Sequence, residues 1–234
     1  MIDGPVLLAD ALAAGVSVEE VFTSGSHDPV IDAAASAGAI VRETRPEVLA
    51  RATDTVTPRG VAAVARRVEV PVDAALEAAA RGPLALVLVD VADPGNAGTL
   101  VRAAEASGAA AVIFCAGSVD PSNGKCVRAS AGALFHVPIA AGGEVGAVLE
   151  RLGELGVLRT ATVVHGGTPY DAVDLTGPVA LVLGSEAHGL PEPALAAVDE
   201  RLTIPMDGRS ESLNVAMAGS ILCFESLRQR RSAR

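Results

Sequence analysis

The sequence predicts an α/β protein in which a mostly parallel sheet carries helices on both faces and follows a smaller α/β/α unit. Two observations lead there. From Leu84 onward, short apolar runs of strand length alternate with helical segments, the pattern of buried parallel strands joined by crossover helices. Three of those runs also end in Gly-containing stretches: Asp93-Pro94-Gly95-Asn96-Ala97-Gly98, Leu183-Gly184-Ser185-Glu186-Ala187-His188-Gly189-Leu190, and Ile204-Pro205-Met206-Asp207-Gly208. Loops at strand ends are where α/β proteins build nucleotide-type sites.

In the first unit, Val6–Ala14 has helical apolar spacing, Glu20–Ser24 is a short strand, Pro29–Ala37 is helical and Ile40–Arg42 is extended. A helix over Pro46–Ala52 and the apolar run Val61–Ala65 complete it. A break at Glu69-Val70-Pro71 divides the chain into residues 1–70 and 71–234, and Asp73–Arg81 reads as a connecting helix. Strands then fall at Leu84–Asp90, Ala110–Cys115, Phe135–Ile139, Arg159–Val164, Val179–Gly184 and Arg201–Ile204. Helices fall at Gly98–Ser107, Gly124–Ala131, Val145–Gly156, Pro193–Val198 and Asn214–Leu227.

Half of the residues are apolar but only 2% are aromatic, so the core is built from Ala, Val, Leu and Ile. Cys115, Cys126 and Cys223 are odd in number and form no C-x-x-C pair, which argues against a zinc site and a disulfide framework. A reduced, cytoplasmic protein without metal is expected. No basic, apolar leader follows Met1, and no apolar run reaches the length that spans a bilayer. The net charge of −10 weighs against nucleic acid, which is usually held by a basic surface. Basic clusters nonetheless occur at Arg59, Arg66 and Arg67 and at Arg228, Arg230, Arg231 and Arg234, each as consistent with a solvated face or frayed tail as with a phosphate contact.

Taken singly, the polar residues of the three stretches have ordinary explanations. Asn96 beside glycine suits a tight turn, and Arg102 suits an exposed helical surface. Ser212 and Asn214 precede Val215-Ala216-Met217-Ala218 as helix N-terminal residues do. Glu186 is a carboxylate in a loop whose glycines, Gly184 and Gly189, let backbone approach a ligand. His188 beside it reads as a bystander, and Cys126 as inert. The loop Ser118–Lys125 fails the P-loop spacing, and no G-x-G-x-x-G is present.

In this order and spacing, Asn96 with Arg102, the Gly184–Leu190 stretch and Ser210-Glu211-Ser212-Leu213-Asn214 resemble the three motifs of the SpoU/TrmH branch of the SPOUT methyltransferases. The N-terminal pattern, Gly4-Pro5 and later Thr57-Pro58-Arg59-Gly60-Val61, more loosely resembles that family's ribosomal-protein-like RNA-binding domain. The resemblance implies a C-terminal domain closed by a trefoil knot and a homodimer that methylates a ribose 2′-hydroxyl of RNA with S-adenosylmethionine. It places Asn96, Arg102, Glu186, Ser212 and Asn214 in the catalytic centre, with the arginine assisting deprotonation. The cofactor is expected on Leu183, Gly184, Ser185, Glu186, Gly189, Ile204, Pro205, Met206, Ser212 and Leu213. A bulky side chain at Gly184 is then expected to abolish cofactor binding and leave the fold intact. RNA is expected on Arg59, Arg102, Lys125 and Arg128. The two-domain arrangement is closer to the rRNA-modifying and thiopeptide-resistance members than to minimal tRNA enzymes, which makes large-subunit rRNA the expected target and tRNA the alternative. Two other classes stay open on the residues alone: a non-catalytic RNA-binding protein, and a small-molecule enzyme with a nucleotide site, which the negative charge suits. The stripe Val215, Gly219, Leu222 and Ser226, flanked by Ala218, Ile221 and Glu225, offers a small apolar face for a two-fold interface.

Overall fold

The computed structural model describes residues 1–25, 27–53 and 59–233. Thr57 and Pro58 of the N-terminal signature, and Arg234 of the basic tail, lie outside the described residues. The first unit contains β1 (Ile2–Asp3), α1 (Pro5–Ala13), β2 (Val18–Thr23), α2 (Pro29–Ser36), β3 (Ile40–Glu43), α3 (Pro46–Thr53) and β4 (Val61–Ala65). Its strands run in the order β1-β4-β2-β3, with β4 antiparallel to both neighbours and β2 parallel to β3. Leu8 and Ala11 of α1 and Val30, Ile31 and Ala34 of α2 pack on Val21, Val61 and Ala63. The α2 start is local chemistry: Asp28 accepts from the Val30 N–H and Pro29 supplies the fixed φ of a first helical position.

The second unit runs α4 (Val72–Arg81), β5 (Leu84–Leu88), α5 (Pro94–Ala106), β6 (Ala111–Phe114), α6 (Gly124–Ser130), β7 (Ile139–Ala141), α7 (Val145–Glu154), β8 (Leu158–Thr162), β9 (Thr168–Pro169), β10 (Val179–Leu183), α8 (Glu192–Ala196), β11 (Glu200–Thr203) and α9 (Val215–Ser232). Its seven strands are ordered β7-β6-β5-β10-β8-β11-β9, and every pairing among them is parallel. Strands β5, β6 and β10 are buried at every position, which is why each reads as a continuous apolar run rather than an alternating one. Alternation still sorts their side chains. Leu84, Leu86, Leu88, Leu181 and Leu183 face α5, α6 and α9, while Ala85, Val87, Ala180 and Val182 face α4, α7 and α8.

Several elements depart from the sequence reading for identifiable reasons. Helix α5 begins at Pro94 rather than Gly98, because Asp93 caps it by accepting from the Asn96 N–H at 2.9 Å and Pro94 takes the first helical position. Asn96 is therefore a first-turn helical residue, not a turn residue. The expected strand over Phe135–Ile139 is instead a short 3₁₀ turn at Ala133–Phe135 followed by β7. Left-handed backbone at Ala131 (φ 50°) and Gly132 (φ 94°) forces the turn, and Phe135 packs on apolar residues of both units. The short β1 and β9 carry two residues each, too few for periodicity to reveal.

The proposed two-fold face of α9 is also corrected. Val215, Ala218, Gly219, Leu222, Glu225 and Ser226 are buried within the subunit. A Cβ on Gly219 would lie 2.9 Å from Leu183 Cδ1 and against Leu100, so its missing side chain is what lets α9 seat on α5 and β10. The apolar residues left outside are Met217 (57% exposed), Ile221 (36%) and Phe224 (49%), one helical stripe at i, i+4 and i+7. Arg228, Arg230 and Arg231 of the C-terminal basic cluster are part of the helix. Arg228 pairs with Glu225 at 2.8 Å, and Arg230 donates to the Ser107 carbonyl at 2.7 Å.

The two units touch through polar contacts that no sequence spacing announces. Arg67 donates to Asp120 at 2.8 Å, Ser122 to Glu69 at 2.6 Å, and His136 Nε2 lies 3.0 Å from the Asp10 carboxylate. Among the described residues, no helix is long and apolar enough to cross a membrane.

All three cysteines are buried, and burial pushes each thiol up to about 12. At neutral pH the native protein is therefore expected to resist iodoacetamide at every cysteine and to take up the label fully in guanidinium chloride. Labelling of the native state at the rate of a free thiol, followed by mass spectrometry, would contradict this packing.

Candidate functional site

Most of the candidate residues gather where three chain segments meet beyond the C-terminal ends of the parallel strands. Strand β10 lies between β5 and β8, so the loop after β10 emerges beside the start of α5, which follows β5. The loop is closed on itself by Ser185 N–H to the Gly189 carbonyl at 3.1 Å, Gly189 N–H to the Ser185 carbonyl at 2.8 Å, and Ala187 N–H to Ser185 Oγ at 3.2 Å. Gly189 has φ 67°, which favours glycine. Gly184 is glycine for another reason: a Cβ there would stand 2.5 Å from the Gly189 carbonyl carbon and oxygen and 2.7 Å from Leu190 N. Its bare Cα thus holds the loop shut rather than leaving room for a ligand, and the expectation that a bulky residue at 184 leaves the fold intact is corrected.

A cavity of about 360 Å³ opens between this loop, the end of β8 and the segment Ile204–Leu213. Leu183, Gly184, Ser185, Glu186, Gly189, Ile204, Met206, Ser212 and Leu213, all expected at a cofactor site, line it. Pro205, also expected there, lines an adjoining cavity with Thr203, His165 and Glu211. Sequence reasoning missed the contribution of β8, whose Thr162 leads into Val163 and Val164 in the wall, and it set aside His188, which lines the cavity too. Thr162 Oγ1 is buried without a hydrogen-bond partner. An orphaned hydroxyl in a cavity wall is a polar atom that a ligand would satisfy. The periodicity of β8 gave no sign of this, because a threonine in a strand is ordinary.

Three of the expected catalytic residues join through Glu186, which lies in the cavity wall. Asn214 caps α9, its Oδ1 accepting from the N–H groups of Ala216 (2.9 Å) and Met217 (3.3 Å). Its Nδ2 donates to Asn96 Oδ1 at 3.0 Å, and Asn96 Nδ2 donates to Glu186 Oε1 at 2.5 Å. The contact links residues 90 and 118 positions apart in the chain. Ser212 lies in the cavity wall beside Glu186.

Arg102 stands in the third turn of α5. Among the described residues its exposed side chain has no hydrogen-bond or ion-pair partner, and the structure does not tie it to Asn96. Of the residues expected to meet RNA, Arg59 lies along Gly4 and is likewise unpaired. Lys125 is engaged with Asp93 at 3.0 Å, and that ammonium, with the Asn96 N–H, holds the Asp93 carboxyl below its usual range. Arg128 donates to the Thr53 carbonyl at 3.4 Å, so it joins α6 to α3. Among the described residues, no group of three or more His, Cys, Asp or Glu is arranged to hold a metal ion.

Residues 83–224 match the SpoU rRNA Methylase family, and residues 2–71 match the family described as RNA 2'-O ribose methyltransferase substrate binding. A Bacillus subtilis protein named 23S rRNA (guanosine(2553)-2'-O)-methyltransferase RlmP is 31% identical, the alignment covering 96% of this chain and 86% of that protein. A Streptomyces viridochromogenes protein named 23S rRNA (uridine(2479)-2'-O)-methyltransferase is 32% identical over 83% of this chain and 72% of its own. Among solved structures, the AdoMet-bound rRNA methyltransferase from Sinorhizobium meliloti superposes with a TM-score of 0.86 at 29% identity, covering 97% of this chain and 85% of that one.

The loop geometry predicts that Gly184→Ala destabilises the protein by about 1–3 kcal/mol, since backbone rather than a movable side chain obstructs the new methyl group. Urea unfolding measures it. A wild-type midpoint would show that the loop is not held by the Gly184–Gly189 approach.

Proposed function

This chain belongs to the SpoU rRNA Methylase family, and we propose that it methylates a ribose 2′-hydroxyl of large-subunit rRNA with S-adenosylmethionine. The observation that carries the reading is the cavity at the meeting of three segments, with Glu186 in its wall joined by hydrogen bonds through Asn96 to Asn214. Its volume and mixed lining suit a nucleoside bearing a charged amino-acid tail. Leu183, Ile204 and Leu213 would take the adenosine part, and Thr162 offers it an unsatisfied hydroxyl. When bound, S-adenosylmethionine supplies a methyl group on a sulfonium centre, open to in-line displacement.

The protein's task is then to align a hydroxyl that is barely acidic and to favour loss of its proton. Glu186 and Ser212 are polar groups in the cavity wall, and Asn96 joins Glu186 to Asn214. Arg102, cationic and unpaired, is free to meet the RNA phosphate next to the target ribose and to stabilise the developing alkoxide. Displacement at a sulfonium needs no Lewis acid, so the reading assigns no metal. Residues 1–70 form the substrate-binding domain in this account, with Arg59 on its surface toward RNA and Lys125 and Arg128 on the adjoining face of residues 71–234. The relatives named above act on guanosine and on uridine, so the proposal commits to the ribose and not to the base.

A homodimer, a trefoil knot around the segments following β10 and β11, and a cytoplasmic location belong to the same reading. The stripe of Met217, Ile221 and Phe224 is the surface that suits a two-fold axis, because it is the face of α9 left apolar and exposed. Two subunits also bring together basic groups that a chain of net charge −10 holds sparsely.

The test of function is transfer of labelled methyl from S-adenosylmethionine to 23S rRNA stripped of modifications. Label is expected in alkali-resistant dinucleotides, because a methylated 2′-oxygen cannot attack its phosphodiester. Label confined to tRNA, or to a base, would overturn the reading. Arg102→Ala is expected to keep cofactor affinity and lose turnover by about a hundredfold. Turnover near wild type would return Arg102 to the ordinary surface. Phe224→Glu should halve the mass seen by light scattering, and an unchanged dimer would move the interface elsewhere.

A further inference from the structure

Asn214, Asn96 and Glu186 form a chain of hydrogen bonds whose direction is fixed from one end. The backbone N–H groups of Ala216 and Met217 can only donate, so the Asn214 atom that meets them must be its oxygen. That leaves its Nδ2 toward Asn96, which must answer with Oδ1 and turn its own Nδ2 to Glu186. Each amide orientation follows from the one before. Glu186 is the terminus, and it accepts.

We propose that the N-cap of α9 sets this polarity, so that Asn214 and Asn96 are positioning residues which hold Glu186 in the cavity wall as a hydrogen-bond acceptor. The inference rests on the methyltransferase reading for what enters the cavity, and on geometry alone for the relay. Three features support it. The bond from Asn96 links the closed Ser185–Gly189 loop to α5, and the bond from Asn214 links α5 to α9, so the loop that walls the cavity is tied to the helix whose Val215 and Ala218 also line it. Asn96 is itself fixed at its N–H by Asp93, which leaves its side chain a limited arc in which to find partners. Among the described residues Glu186 makes no other hydrogen bond, so its second oxygen remains to accept from a donor in the cavity.

The polarity can be reversed without disturbing the helix. Aspartate caps as well as asparagine, so Asn214→Asp keeps the start of α9 while presenting an oxygen to Asn96. Asn96 must then rotate its amide, turning Oδ1 to Glu186, and two acceptors face each other. Glu186→Gln supplies the donor that the reversed chain needs. Asn214→Asp alone is expected to weaken S-adenosylmethionine binding by about tenfold, the scale of a lost hydrogen bond to a charged group. The double variant Asn214→Asp/Glu186→Gln should bind at least about tenfold better than the product of the two single effects. Asn214→Asp/Glu186→Ala, which offers no donor, should show no such gain, and neither should the Gln double variant in an Asn96→Ala background. Calorimetry reads the affinities, and the thermal unfolding midpoint gives the same cycle without ligand. Independent effects of positions 214 and 186 in both readouts would overturn the relay. A wild-type protein that binds no S-adenosylmethionine would instead overturn the functional reading, with the cycle in unfolding temperature still deciding the relay.

Discussion

The pairing of β10 between β5 and β8 is the constraint on which the rest of the molecule depends. Leu183 opposite Leu88 and Val182 opposite Ala161 set the register, and with it the height at which each strand releases its loop. Because all these strands are parallel, their C-terminal ends share one edge. The start of α5 and the Gly184–Gly189 loop are therefore neighbours although some ninety residues separate them, as the Asn96–Glu186 bond shows. The crevice beyond the carboxyl ends of such strands is where open α/β sheets bind ligands. Here its third wall comes from the segment between β11 and α9, which is drawn in because α9 seats on α5 and β10 at Gly219.

The chemistry at that edge is assembled from helix termini. Asp93 caps α5 and Asn214 caps α9, and between them they orient Asn96, which neither cap alone would hold. Capping is ordinarily a matter of about 1 kcal/mol of helix stability. In this fold the same bonds also decide which way two side-chain amides point and what Glu186 meets. The cationic groups of the chain divide in a comparable way. Lys125, Arg67, Arg128, Arg228 and Arg230 are engaged within the protein, whereas among the described residues Arg59 and Arg102 have no partner. An acidic protein that met RNA through every arginine would need more of them than this chain has; meeting it through a few unpaired ones is consistent with its charge.

Much of this was legible in the sequence, and the misses have physical causes. The continuous apolar runs of β5, β6 and β10 announced buried parallel strands, and two of the three Gly-containing stretches, those after β10 and β11, marked the segments that line the cavity. Asn96 was misread as a turn residue because its glycine neighbours drew attention from Asp93-Pro94, a helix start in its own right. The face of α9 was misassigned because that helix is small or apolar on several sides, so spacing alone could not say which side the sheet would take. Thr162 and His188 were missed as cavity residues because nothing local distinguishes them, and their place follows from the loops around them. The polar clasp of Arg67, Asp120, Glu69 and Ser122 depends on tertiary approach and left no trace in spacing.

The central claim is that one cavity, closed by loops from β8, β10 and the β11–α9 segment, holds the methyl donor against Glu186. A crystal structure of the protein with S-adenosylmethionine tests it most directly. The account predicts density for the nucleoside between Leu183, Ile204 and Leu213, with the amide chain from Asn214 through Asn96 to Glu186 intact. Density for the cofactor elsewhere on the protein, or Glu186 turned away from Asn96 in the complex, would contradict it.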